Sequence, residues 1–121
     1  MGKRKHILVV DDDRALRQLY STALLMAGFA VGTAADGMGA LNKIDETRPD
    51  LIVLDLHLPR VDGLSVLSEL RANSDTWSIP VVVLTGTDYQ YAVAQASAIL
   101  KKPCEPERLI SVIERHLSTA A

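Results

Sequence analysis

Apolar residues fall into two patterns that alternate along the chain. Short continuous apolar runs are typical of strands buried on both faces of a parallel sheet. Longer segments with apolar residues every three or four positions are typical of amphipathic helices. Their alternation predicts βα units, a right-handed parallel sheet and helices on both of its faces. The five predicted strands are His6–Val10, Phe29–Ala34, Leu51–Asp55, Ile79–Leu84 and Ala98–Leu100.

The helix pattern occurs between the predicted strands and again after the last one. Gly28 and Pro49 follow the first two helical segments, where a C-terminal glycine and a helix-ending proline are expected. The segment Ala92–Ala96 is a weaker helix candidate, and Trp77 is expected to cover a helix end. The four clear helical segments are Arg14–Ala27, the segment around Ala40–Ile44, Leu64–Leu70 and Leu109–Leu117.

The stretch from Leu51 to Gly63 organises the rest of the chain. Four apolar residues, two of them β-branched, form a central strand that ends directly in Asp55. Pro59 and the pair Asp62–Gly63 then turn the chain. Asp55 is therefore predicted to lie at the carboxyl end of a central strand, where open α/β sheets bind their ligands.

Composition narrows the range of functions. A length of 121 residues with 48% hydrophobic and 4% aromatic residues predicts a single domain, residues 1–121, with an aliphatic core. The net charge of −2 gives no electrostatic reason to expect a nucleic-acid partner, and no apolar run predicts a membrane partner. Cys104 is the only cysteine, which excludes an internal disulfide and favours a cytoplasmic location.

Polar residues lie at or just after the ends of four of the five predicted strands, and the carboxyl ends of parallel strands share one edge of the sheet. They are Asp11, Asp12, Asp55, Thr85 and Lys102. Carboxylates gathered in one crevice repel each other, and hard oxygen ligands suit Mg²⁺. A carboxylate beside a cation can act as a nucleophile toward phosphorus, with the Thr85 hydroxyl and the Lys102 ammonium holding the transferred oxygens.

Each of these residues also has a plain structural interpretation. An aspartate after a strand often caps the next helix, and Asp13 is expected to do this. Thr85 on its own could be a strand-end residue, and Lys102 one of two solvated lysines. Their occurrence together at one sheet edge favours the functional interpretation.

From about Lys5 to Leu117 the chain resembles the receiver domain of two-component response regulators. The matching motifs are Ile7–Asp13, Leu54–Pro59 with Asp62–Gly63, Val83–Gly86 and Lys102–Pro103. The resemblance implies a flavodoxin-like, doubly wound, five-stranded parallel sheet of order 2-1-3-4-5. It implies that Asp55 is the phosphoacceptor and that Mg²⁺ binds Asp11, Asp12, Asp55 and the backbone carbonyl of His57. It also implies catalytic roles for Thr85 and Lys102 and a cis peptide before Pro103.

The leading hypothesis is a phosphoaccepting signalling module rather than an enzyme acting on other molecules. The donor would be a sensor histidine kinase or a phosphotransfer protein, and the domain would remove its own phosphoryl group later. One alternative is an interaction module with a receiver fold that works without phosphorylation. Another is an aspartyl-phosphate phosphatase, although such enzymes usually have an aspartate at the position of His57. No output domain is expected after Leu117, so the domain is expected to act by binding another protein or by passing its phosphoryl group onward.

Two departures from the family pattern concern how phosphorylation would change the conformation of the domain. Thr85 and Lys102 are 102 − 85 = 17 positions apart, which predicts a shortened fourth helix within Asp88–Ser97. Ile99 takes the place of the usual aromatic residue, so we expect Asp88–Ser97 itself to order or shift on phosphorylation, with Tyr91 as a candidate substitute. His57 and Thr87 are at positions that gate water in the family, and we expect them to influence phosphoryl lifetime.

Overall fold

Five parallel strands form one sheet in the order β2-β1-β3-β4-β5. The computed structural model describes residues 3–86 and 94–119. The strands are β1 His6–Val10, β2 Ala30–Ala34, β3 Leu51–Asp55, β4 Val81–Thr85 and β5 Ala98–Lys101. The helices within the described residues are α1 Arg14–Met26, α2 Gly37–Thr47, α3 Gly63–Ala72 and α4 Pro106–Thr119. The predicted doubly wound fold and its strand order are therefore confirmed.

Alternating residues of the buried strands face two separate cores. Leu8, Ile52 and Val83 contribute to a core beneath α2 and α3. Ile7, Val53 and Leu84 contribute to a second core beneath α1 and α4. Because successive strand residues point to opposite faces, continuous apolar runs are what a sheet covered on both faces requires.

An aspartate caps the N-terminus of each of the first three helices. The carboxylates of Asp13, Asp36 and Asp62 accept a hydrogen bond from the backbone N–H three residues on, at 3.1, 2.7 and 2.8 Å. These bonds satisfy backbone donors that the helix itself leaves unpaired. At the other end of α1, Gly28 adopts a φ of 100° that other residues rarely accept, as predicted for a helix-terminating glycine.

Strand boundaries and one side chain differ from the predictions. β4 begins at Val81 rather than Ile79, because Pro80 has no N–H to donate to the ladder, and it continues through Thr85, which pairs with Lys101. Trp77 is 61% exposed, so the prediction that it covers a helix end is wrong. The loop is held instead by Arg71, which donates to the carbonyls of Trp77 and Ile79.

The predicted shortened fourth helix falls largely on residues 87–93, outside the part of the chain that the structure describes. The predictions about Thr87 and Tyr91 fall there too. Beyond this stretch, the Gln95 carbonyl accepts a hydrogen bond from Arg71 at 2.8 Å, and the Ser97 N–H donates to Val81. Among the described residues, no helix is both long and apolar enough to cross a membrane.

Candidate functional site

The sheet order brings four predicted residues to one edge. Asp11 follows β1, and Asp55 is the last residue of β3. Thr85 is the last residue of β4, and Lys102 follows β5. Because β1, β3, β4 and β5 are successive neighbours in a parallel sheet, their carboxyl ends form one continuous rim.

Three carboxylates converge on this rim. Ligand oxygens of Asp11, Asp12 and Asp55 all lie within 4.8 Å of one another. Asp11 and Asp55 are only 1% and 4% exposed, whereas Asp12 is exposed. A cluster of hard oxygen donors that opens to solvent on one side has the chemistry of a Mg²⁺ site, since this ion keeps several water ligands.

The Lys102 ammonium lies between two of the carboxylates. Its Nζ donates to Asp11 Oδ2 at 3.0 Å and to Asp55 Oδ2 at 3.1 Å. Burial alone would lower the pKa of Lys102, but the hydrogen bond and charge of Asp11, followed by those of Asp55, raise it. Lys102 is therefore held in its charged form, and three carboxylates against one ammonium leave the pocket negative.

The charged form of the Asp55 carboxylate is disfavoured by burial. Burial raises its pKa, against the hydrogen bond from the His57 backbone N–H and the charge of Lys102, which lower it. The His57 N–H donates to Asp55 Oδ1 at 3.1 Å, so both oxygens of Asp55 have partners before any ligand arrives. The His57 side chain itself is exposed. A buried carboxylate close to other carboxylates at a strand end favours a cation nearby.

The three consecutive aspartates have different surroundings. Asp11 accepts the Asp13 N–H on Oδ1 and Lys102 on Oδ2. Asp13 caps α1 and lies outside the carboxylate cluster, as predicted. Asp12 has no hydrogen-bond partner among residues 3–86 and 94–119, so its carboxylate is the one open to a ligand from solvent.

A glycine allows the loop after Asp55 to close against the strand. A Cβ at Gly63 would lie 2.5 Å from Leu56 Cα and 2.6 Å from the Asp55 carbonyl oxygen. Gly63 was predicted only as part of a turn, and its close approach to the site could not be read from the sequence. The Lys102–Pro103 peptide is cis, as predicted.

Two side chains of α1 contact the rim and were not predicted to do so. Arg17 donates to the Asp11 carbonyl at 2.7 Å, and the Tyr20 hydroxyl donates to the Cys104 carbonyl at 3.0 Å. In the sequence, Tyr20 is one member of the apolar stripe of a helix, and nothing in that pattern indicates a partner for its hydroxyl.

Comparisons with known proteins agree with this geometry. A protein named response regulator MprA from Mycobacterium tuberculosis is 48% identical over 82 residues. The match covers 68% of this chain but 35% of that protein, so the chain spans about a third of the length of the curated relatives it matches.

Solved structures with the same fold cover nearly the whole chain. The chemotaxis response regulator CheY4 of Vibrio cholerae is 32% identical with a TM-score of 0.86, over 94% of this chain and 99% of that one. A CheY-like receiver domain protein of Methanospirillum hungatei is 27% identical with a TM-score of 0.90, over 97% and 96% of the two chains. Residues 7–114 match the profile of the response regulator receiver domain. This chain therefore belongs to the response regulator receiver domain family.

Proposed function

We propose that residues 1–121 act as one receiver domain that accepts a phosphoryl group on Asp55 with the help of Mg²⁺. The observation that carries this proposal is the buried Asp55 carboxylate within 4.8 Å of Asp11 and Asp12 and 3.1 Å from the Lys102 ammonium. A structural ion pair would need one carboxylate for one ammonium. Three carboxylates around a single ammonium favour a site for a further cation and an anionic group.

Asp11, Asp12 and Asp55, with the His57 backbone carbonyl, are the residues that would hold Mg²⁺. Bound there, the ion supplies positive charge to the oxygens of a phosphoryl group. Lys102, which follows β5 at the same rim, supplies a second positive charge, and Thr85, 2% exposed at the end of β4, supplies a hydroxyl. Positioning and charge stabilisation account for most of the acceleration of phosphoryl transfer.

The transfer itself needs one nucleophile. An Asp55 oxygen attacks the phosphorus of a phosphohistidine, an O–P bond forms, the P–N bond breaks, and the imidazole leaves with a proton from solvent. In the later dephosphorylation, water attacks the phosphorus, a new O–P bond forms to the water oxygen, and the bond to the Asp55 oxygen breaks, with the protons of water passing to the phosphate and the solvent. Asp55 then regains its carboxylate, and inorganic phosphate leaves. The domain thereby catalyses only reactions at its own Asp55.

The donor is proposed to be a sensor histidine kinase or a phosphotransfer protein, and the recipient of the signal a protein rather than nucleic acid. The net charge of −2 and the acidic rim support this choice, because neither attracts a polyanion. A cytoplasmic location is proposed, supported by the single, buried cysteine.

Phosphorylation by acetyl phosphate tests the assignment without knowledge of the kinase. We expect the parent protein to incorporate one phosphoryl group with Mg²⁺ and none after chelation. Asp55→Asn should incorporate none, and Asp45→Asn, which changes an exposed aspartate of α2, should behave as the parent does. Incorporation into Asp55→Asn would overturn the assignment, and no incorporation into either the parent or Asp45→Asn would favour the phosphorylation-independent interaction module.

A further inference from the structure

Helix α1 contacts the rim at two points one turn apart. Arg17 and Tyr20 occupy positions i and i+3, which lie on the same side of a helix. The Arg17 guanidinium donates to the Asp11 carbonyl at 2.7 Å, and the Tyr20 hydroxyl donates to the Cys104 carbonyl at 3.0 Å. Both acceptors are backbone carbonyls that lie beyond the end of a strand, one after β1 and the other after β5.

The Asp11 and Cys104 carbonyls lie in the two chain segments that form the ion pair between Asp11 and Lys102. Asp11 itself accepts the Lys102 ammonium, and Cys104 is two residues after Lys102. The Lys102 N–H donates to the Thr85 carbonyl at 2.8 Å, so the segment from Lys102 to Cys104 is tied to β4 at one end and to α1 at the other.

We propose that Arg17 and Tyr20 are positioning residues for phosphoryl transfer. From one side of α1 they hold the Asp11 segment and the Lys102–Cys104 segment at a fixed separation, and so determine where the Lys102 ammonium lies relative to Asp55. This inference rests on the proposed function of Asp55 and extends it to residues that touch neither the phosphoryl group nor the metal.

The surroundings of Tyr20 make its bond effective as a constraint. Tyr20 is 1% exposed, so water does not compete with the Cys104 carbonyl for its hydroxyl. Burial raises the pKa of Tyr20, which keeps the hydroxyl protonated and able to donate. Arg17 is half-buried and its bond to Asp11 is short, as expected for a charged donor.

The position of Lys102 matters because its ammonium must reach the phosphoryl group and still clear the incoming donor. A misplacement of about 1 Å in a catalytic arrangement can reduce the rate on the order of a hundredfold. Each segment also keeps a backbone hydrogen bond of its own, from the Asp11 N–H to Ala34 and from the Lys102 N–H to Thr85. Loss of one bond to α1 therefore leaves its segment partly held, and we expect about a tenfold slower phosphorylation for each single variant.

The first experiment measures the rate of phosphorylation by acetyl phosphate at saturating Mg²⁺, normalised to the folded fraction from circular dichroism. Tyr20→Phe removes only the hydroxyl, and Arg17→Met removes the donor while keeping the length of the side chain. Matched controls lie on the same helix. Ser21→Ala removes a buried hydroxyl that has no partner among the described residues, and Arg14→Met removes an exposed charge. Both controls should react at the parent rate.

The second experiment needs no metal and no activity. Urea midpoints are measured for the parent, Tyr20→Phe, Lys102→Met and the double variant in a chelating buffer. If Tyr20 acts by positioning Lys102, loss of its hydroxyl costs less stability once the lysine is gone, and the two changes are not additive. Additive changes would mean that Tyr20 only stabilises the fold, and would overturn its assignment.

The outcomes separate this inference from the proposed function. If the parent and Asp55→Asn are labelled equally or not at all, the proposed function fails. If the parent is labelled and Asp55→Asn is not, the proposed function stands and the rates of the α1 variants can be compared. A variant, Tyr20→Phe or Arg17→Met, that is labelled as fast as the parent excludes its residue as a positioning residue. Slower labelling of both variants, with both controls unchanged and a non-additive cycle, supports the inference.

Discussion

Lys102 donates to two carboxylates that are 91 and 47 positions away along the chain. At the scale of single residues, the chemistry of the site depends on such distant neighbours. Burial raises the pKa of Asp55, while the pKa of Lys102 rises because its carboxylate partners outweigh its own burial. The charged form of Asp55 is thus destabilised, while the charged form of Lys102 beside it is stabilised. A site with these properties would bind a further cation favourably.

The thiol of Cys104 should react slowly. Cys104 is 9% exposed, and burial raises its pKa more than the Arg108 charge lowers it. We expect iodoacetamide to alkylate the native protein about tenfold or more slowly than the protein in urea at pH 8, because only the exposed thiolate reacts. Equal rates would show that the thiol is accessible and ordinary.

The same shift predicts a dependence of stability on pH. The pKa of the Cys104 thiol in the folded protein lies above its unfolded value of about 8.5. As the pH rises, the thiol therefore loses its proton in the unfolded chain before it does so in the folded one. The free energy of unfolding should therefore fall as the pH rises from about 8.5 toward the folded pKa. In urea titrations, the free energy of unfolding of Cys104→Ala should fall less steeply over this pH range than that of the parent. An identical slope would contradict the prediction.

His57 should influence the lifetime of the phosphoryl group. Its backbone N–H contacts Asp55, and its exposed side chain stands two residues from the proposed phosphoacceptor. We expect faster loss of labelled phosphate in His57→Ala, because a ring that restricts the approach of water is removed. His57→Asn, which keeps a polar group of intermediate size, should fall between the two. First-order decay at the parent rate in both variants would exclude the role.

At the scale of elements, an aspartate stabilises the N-terminal end of α2. Asp36 caps α2 through the Gly39 N–H at 2.7 Å and also forms an ion pair with Arg60 at 3.6 Å. The Arg60 side chain is 65% exposed, so this ion pair is expected to add little stability. The cap, in contrast, gives a hydrogen-bond partner to a backbone N–H that the helix leaves unpaired. The two contributions can be separated because an asparagine at this position can still cap the helix but cannot form the ion pair.

Replacement of Asp36 tests this distinction. We expect Asp36→Ala to lower the free energy of unfolding by about 1 kcal/mol. Asp36→Asn should remain near the parent value because an exposed ion pair contributes on the order of 0.5 kcal/mol. The measurement is urea unfolding followed by circular dichroism. A loss in Asp36→Asn as large as in Asp36→Ala would show that the ion pair, not the cap, stabilises this end of α2.

At the scale of the whole molecule, ligand binding at the rim should stabilise the entire fold. The carboxylates belong to β3 and to the segment after β1, two adjacent strands in the middle of the sheet. Unfolding would separate them and destroy the site. Anything that binds only the folded state stabilises it according to its concentration.

Thermal unfolding with and without Mg²⁺ measures this effect. At 100 times its dissociation constant Mg²⁺ should add about 2.7 kcal/mol to the free energy of unfolding. Asp12→Asn should lose much of the increase, since Asp12 is the carboxylate open to solvent, whereas Asp45→Asn should keep it. A melting temperature that does not respond to Mg²⁺ would contradict the proposed metal site.

Sequence patterns alone predict the alternation of strands and helices, the parallel sheet and the positions of Asp11, Asp55, Thr85 and Lys102 at strand ends. These features depend on local periodicity and on the handedness of βα units, and both can be read from a single chain. The family motifs added the strand order and the cis peptide before Pro103, and the structure confirmed both.

The hydrogen-bond partners of the side chains at the rim, by contrast, depend on the tertiary structure. Asp11 and Asp12 look alike in the sequence, yet Asp11 is buried against Lys102 and Asp12 is exposed to solvent. The hydroxyl of Tyr20 meets a carbonyl 84 positions away. Periodicity records which side of an element is buried, but a hydrogen bond between distant residues depends on how two packed elements lie relative to each other, and no local pattern contains that information.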